Sequence, residues 1–111
     1  MTSRLRVAVL DYGIGNLRSA QKALERVGAD AVLTSSAAEV NASDAVVLPG
    51  VGAFGACMNA LRAVGLEEVA HDAVASKKPF LGIRVGMQML FDSSEEDPGV
   101  SGLGIIPGSV Q

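Results

Sequence analysis

Short apolar runs alternate along this chain with longer stretches of helical period. Residues 7–10, 31–33 and 45–48 each read as a buried strand, and 79–83 as a fourth that opens on Pro79. Between them, residues 17–27 have the spacing of an amphipathic helix ended by Gly28. Residues 53–64 read as a second helix, and 66–76, past an interruption at Gly65, as a third. Strands separated by helices pair in parallel through right-handed crossovers, so the pattern predicts an α/β fold with an open, doubly wound parallel sheet. A further helical stretch covers 85–91. Residues 92–102, with Ser93, Ser94, Pro98 and Gly99, read as the least ordered loop, and 103–106 as a strand before a turn at Pro107-Gly108. A parallel strand so late in the chain lacks the covering layer such sheets need, so the sheet is expected to be incomplete on its C-terminal side.

The fourth strand runs directly into a helical stretch, and that junction has the build of a nucleophile elbow. Gly82 and Gly86 stand two positions either side of Arg84 and permit close strand-helix approach, while the residue between them is raised on a strained turn. The raised residue is therefore Arg84. A guanidinium is always protonated and has no lone pair to offer, so the frame of a nucleophilic site is present without its nucleophile.

The segment Gly82-Ile83-Arg84-Val85-Gly86-Met87-Gln88 resembles the elbow of the class I glutamine amidotransferases, which reads Gly-x-Cys-x-Gly-x-Gln. Three further segments narrow the likeness: Asp11-Tyr12-Gly13-Ile14-Gly15-Asn16-Leu17-Arg18-Ser19, Leu48-Pro49-Gly50-Val51-Gly52, and Ser94-Glu95-Glu96. In order and spacing they are similar to the glutaminase subunits of imidazole glycerol phosphate synthase. Coverage is essentially the whole chain, whereas members of that family run to nearly twice its length. The resemblance thus implies that residues 1–111 are the N-terminal portion of a single amidotransferase domain.

Site residues follow from the same resemblance. Open α/β sheets bind ligands at the carboxyl ends of their strands, where the loops beginning at Asp11, Pro49 and Arg84 should gather. The family's oxyanion hole maps to Gly50 and Val51, with the N–H of Val85 as second donor; one such donor lowers the barrier by roughly 3 kcal/mol. Gln88, Glu96 and Gly52 map to the substrate ligands, Glu96 being a carboxylate suited to an ammonium group. Asn16 and Arg18 map to the edge facing the cyclase (synthase) subunit, although Asn16 also reads simply as a helix N-cap. The expected substrate is glutamine and the expected partner that cyclase, with no cofactor and no metal.

Composition excludes more than it proposes. The chain has 111 residues, 49% hydrophobic and 19% charged, enough for one domain with a sizeable core. Its net charge of -3, with nine scattered Lys and Arg, offers no basic face to nucleic acid. Arg4 and Arg6 precede an apolar run too short for a signal peptide, and no run approaches the roughly 18 residues of a membrane span. One cysteine forms no internal disulfide, in keeping with a cytoplasmic setting. Gly13-Ile14-Gly15 lacks the third glycine of a dinucleotide fingerprint, since position 18 is Arg18. Cys57 and His71 both fall within expected helices, and read as a small buried hydrophobe and a partly exposed helix residue rather than a catalytic pair. Met87 and Met89 read as core.

Arg84 decides the functional expectation. Glutamine hydrolysis by this route needs a thiolate that forms a thioester, which arginine does not supply. Its cation also meets the positive end of a helix dipole, unfavourable by about 0.3 to 1 kcal/mol, so the side chain should lean into the pocket toward Glu96. The family's His and acidic partners come from beyond position 111. The resemblance therefore implies an amidotransferase ancestry and a catalytically inactive chain; the alternative is a noncatalytic module that docks on the cyclase subunit.

Overall fold

A computed structural model provides the structure and describes residues 5–111; Arg4 lies outside the described residues. Four strands, β1 (Arg6–Leu10), β2 (Asp30–Thr34), β3 (Ala45–Gly50) and β4 (Phe80–Arg84), form a parallel sheet in the order β2-β1-β3-β4. Its crossovers are α1 (Leu17–Arg26), α2 (Ala37–Asn41) and the pair α3 (Phe54–Ala63) and α4 (Leu66–Ala75). A four-residue helix α5 (Val85–Gln88) follows β4, and β5 (Phe91–Ser94) pairs in parallel with β6 (Ile106–Val110) as a separate ribbon.

The apolar runs become strands because both sheet faces are covered. Val7 and Val9 point to one face, where Leu17, Ala20 and Leu24 of α1 pack with Ala31 and Val47. Ala8 and Leu10 point to the other, against Phe54, Cys57, Met58 and Leu61 of α3, Leu66 and Ala70 of α4, and Val40 of α2. That second face holds the larger core. On α1's face the layer stops short of β4, whose Leu81 is 56% exposed, so the sheet is incompletely covered on the side reached last by the chain.

Three elements differ from the periodicity reading. The stretch 85–91 is not one helix: α5 ends at Gln88, because the returning segment occupies the backbone that a longer helix would need. Leu103 N–H donates to Met89 C=O at 2.8 Å, Gly104 N–H to Phe91 C=O at 3.1 Å and Ile106 N–H to Leu90 C=O at 2.9 Å. The strand expected at 103–106 begins only at Ile106 and passes through Pro107 and Gly108. A register irregularity between Phe91 and Ser93 absorbs the proline, Gly108 takes φ +117°, and its N–H donates to Asp92 Oδ2 at 3.0 Å. The loop expected at 92–102 is strand over its first three residues.

Helix α2 was the missing element, though its start signal is visible. Ser36 precedes Glu39 by three positions, and Ser36 Oγ accepts the Glu39 N–H at 3.4 Å as an N-cap. Glu39 does not reciprocate; its Oε1 accepts the Thr34 hydroxyl at 2.6 Å instead.

Candidate active site at the ends of strands β3 and β4

The β3-β4 register pairs Val46 with Phe80 and ends on Gly50 opposite Arg84, so the loop after β3 and the elbow after β4 emerge side by side. Arg84 has φ +58° and ψ -122°, a conformation that costs a non-glycine residue about 1 to 3 kcal/mol. It is exposed, at the turn where β4 passes directly into α5. Packing around it explains the glycines. A Cβ on Gly86 would stand 2.0 Å from the Leu48 carbonyl oxygen, one on Gly82 2.6 Å from Met87 Cα, and one on Gly50 2.6 Å from Gly86 N. Three backbones therefore meet with no room for a methyl group.

Val46 N–H donates to Pro79 C=O, and with the two-residue period of a strand the same ladder directs the Gly50 amide toward β4. Val51, the next residue, lies past the strand end. Beside it, a groove of about 310 Å³ is lined by Asn16, Ser19, Pro49, Gly50, Val51 and Arg84. This groove lies on α1's side of the sheet. Asn16 occupies the N-cap position of α1, but its side chain makes no capping hydrogen bond; Arg18 is exposed two residues further on.

Glu96 lies toward α3, and the expected pairing with Arg84 does not form. Glu96 Oε1 accepts the Phe54 N–H at 3.2 Å, and Asp97 Oδ2 the Gly55 N–H at 2.8 Å. The reason is local: α3 begins after Ala53, which has no side-chain acceptor, so two carboxylates from a distant loop cap its unpaired amides. Among the described residues the salt bridge is Arg62 to Glu67, at 2.9 Å. Gln88 is half-buried on α5, four residues after Arg84, and Gly52 is exposed with φ +81°.

Sequence reasoning missed Tyr12 and Asp97. Tyr12 is buried under the β3 loop and its hydroxyl donates to the Pro49 carbonyl. Burial, followed by the neighbouring Cys57, raises its pKa above the ordinary phenol range. A lone tyrosine in a glycine-rich segment carries no signal of this, nor does one acid among four in a polar loop.

Cys57 is buried as expected, its Sγ 3.2 Å from Val51 C=O. His71 instead places Nε2 2.8 Å from Leu103 C=O, so the two form no catalytic pair. Met89 is core, but Met87 is 52% exposed because α5 is too short to bury both. Among the described residues no three His, Cys, Asp or Glu side chains converge as a metal site would require, and no helix is long and apolar enough to cross a membrane.

The chain belongs to the class I glutamine amidotransferases, whose family pattern matches it over residues 8–102. Within that family it is similar to imidazole glycerol phosphate synthase subunit HisH. It is 51% identical to the Synechococcus elongatus protein over 111 residues, which is 100% of this chain and 51% of that one. To the Methanothermobacter thermautotrophicus protein it is 51% identical over 104 residues, 94% of this chain and 52% of the relative. The chain thus spans about half the length of these relatives. In fold it matches a crystal structure of a glutamine amidotransferase with TM-score 0.77 at 23% identity, covering 93% of this chain and 54% of that one. A putative peptidase E protein from Listeria monocytogenes matches with TM-score 0.73 at 13% identity, over 95% and 66% of the two chains.

Proposed function

We propose that residues 1–111 form the N-terminal portion of a single amidotransferase domain, from a lineage that hydrolyses glutamine and passes ammonia to a cyclase making imidazole glycerol phosphate. The observation that carries this reading is the elbow, with Arg84 at positive φ opposite Gly50. In that frame the amide carbonyl of glutamine stacks over position 84. The N–H groups of Val51 and Val85 receive the developing oxyanion, and Gly50 provides the close approach between the two backbones. Gln88 and Gly52 hold the amino-acid end. Glu96 uses Oε1 on α3 and has Oε2 left for the ammonium group. Asn16 and Arg18 face the cyclase subunit, in a cytoplasmic setting. No step of this scheme calls for a cofactor or a metal.

With Arg84 in the nucleophile's place no thioester forms, so the chain as it stands is inactive. Ammonia release from glutamine by the purified chain should not exceed that of Arg84→Ala; turnover above that control would overturn the assignment of Arg84. A second reading, a noncatalytic docking module, is favoured by one observation: Asn16 and Arg84 line the same groove. It requires a stable complex with the cyclase subunit that Arg84→Ala weakens.

A further inference from the structure

The groove beside the elbow has a chemical character that glutamine does not match. It spans about 310 Å³ on α1's side of the sheet, against the ends of β3 and β4. Much of its wall is aliphatic, with Ala20, Val51 and Ile83; Ala20 and Ile83 continue the core of that face. Its polar side chains are Asn16, Ser19 and Arg84, and among the described residues none of the three makes a hydrogen bond or an ion pair. No acidic residue lines it.

Of the lining residues Arg84 alone carries a full charge, and that charge is positive in a chain of net charge -3. Its backbone stands at φ +58°, and no ion pair among the described residues offsets the strain. Uncompensated strain of this kind concentrates where a side chain meets a ligand. The first turn of α1, with no side-chain cap and no acid, adds partial charge of the same sign.

A guanidinium beside an aliphatic wall suits a carboxylate on an apolar body. The fork takes both carboxylate oxygens, and the wall removes hydrocarbon from water. The groove has the volume of about ten water molecules, room for a short branched chain. An amino acid fits poorly, because its ammonium group would meet a cation and find no acid.

We propose that this groove is a binding site for a small aliphatic monocarboxylate, whose carboxylate pairs with Arg84 and whose chain lies along Ala20, Val51 and Ile83. Neither Gln88 nor Glu96 lines it, so such a ligand is not the glutamine of the scheme above.

Isocaproate is the probe and the neutral isocaproamide its isostere, each titrated into the 111-residue chain and followed by backbone NMR shifts. Isocaproate should shift Ser19, Ala20 and Ile83 saturably, with a Kd of about 1 mM. Isocaproamide should bind at least about tenfold more weakly, a comparison that needs no variant. Arg84→Gly, which keeps the backbone conformation, should weaken isocaproate by about the same factor. Arg84→Lys should fall between parent and Arg84→Gly, because it keeps the charge and loses the fork. Leu5 and Ala45 line a separate apolar groove and should not move, which excludes unspecific hydrophobic binding. Absence of saturable shifts, equal affinity for isocaproate and isocaproamide, or unchanged affinity in Arg84→Gly would each overturn the proposal. So would shifts centred on Leu5 and Ala45, or shifts of equal size from acetate or glutamine. No amide hydrolysis is involved, so a silent groove leaves the amidotransferase reading standing.

Discussion

Gly86 lies so close under β3 that a methyl group on its α-carbon would stand 2.0 Å from the carbonyl oxygen of Leu48. That contact joins the elbow to the neighbouring strand through backbone alone. It is also the tightest glycine contact among the described residues, and the atom it meets belongs to a buried strand that has no room to shift.

Gly86→Ala should accordingly destabilise the chain by about 3 kcal/mol or prevent folding, through overpacking. Gly99→Ala is the matched control, since nothing lies within 4 Å of its Cβ position and its φ is not in the left-handed region. It should stay within about 0.5 kcal/mol of the parent. Urea unfolding of both variants decides. Equal midpoints would mean that the elbow yields where the packing says it does not.

Arg84 holds a backbone conformation natural to glycine. Replacing it by glycine relieves strain at some cost in unfolded-state entropy, and Arg84→Gly should come out more stable by about 1 kcal/mol. The readout is the thermal midpoint. A lower midpoint would show that the arginine side chain makes stabilising contacts outweighing its backbone strain.

Chemistry should return only in combination. Arg84→Cys, joined to the second half of a HisH relative and mixed with that relative's cyclase subunit, is expected to release ammonia from glutamine, while the same chimera with Arg84 retained is not. Ammonia formation in a coupled assay is the measurement. Silence from the cysteine chimera, in a folded complex, would sink the proposed ancestry of activity at this elbow.

Glu96 and Asp97 cap α3 in place of the missing side chain at Ala53. Removing either acceptor should cost about 1 kcal/mol, with Asp97→Ala the larger because its hydrogen bond is shorter and half-buried. Chemical denaturation of the two alanine variants gives the order. The reverse order would locate the anchor at Glu96.

Tyr12 makes an alkaline prediction with a definite sign. Its folded pKa is raised above the unfolded value of about 10, by burial first and Cys57 second. The unfolded chain therefore loses this proton first as pH rises. The contribution of Tyr12 is fully present below about pH 10 and declines above it, up to the folded pKa. Stability measured from pH 9 to 11 should fall in the parent and less steeply in Tyr12→Phe; parallel curves would contradict the burial of the hydroxyl.

The strand-helix turn at Arg84 was legible in the sequence. Glycines flanking an unusual residue at a strand-helix junction have one economical physical reading, and the structure places Arg84 at that raised position with Gly82 and Gly86 in contact with neighbouring backbone. The fate of Glu96 was not legible. Its role depends on α3 starting at Ala53 without a cap and on a loop some forty residues later lying within reach, a relation with no trace in local spacing. The shortness of α5 is a similar case: residues 85–91 have helical period, yet the backbone of 89–91 pairs with residues 103–106 instead.

By itself, then, the amino-acid sequence determined the parallel α/β sheet, the glycine-bounded elbow with its misplaced arginine, and the family, because these depend on hydrophobic period, on the space a hydrogen leaves, and on residue identity at short range. Tertiary structure alone decided which carboxylates cap α3, that Glu96 does so without pairing with Arg84, and that Tyr12 and Cys57 meet the carbonyls of Pro49 and Val51. Each of those is a hydrogen bond or a separation between residues far apart in the chain. Such bonds are selected by which donors and acceptors the packed core leaves unpaired, a condition that exists only once the fold has formed.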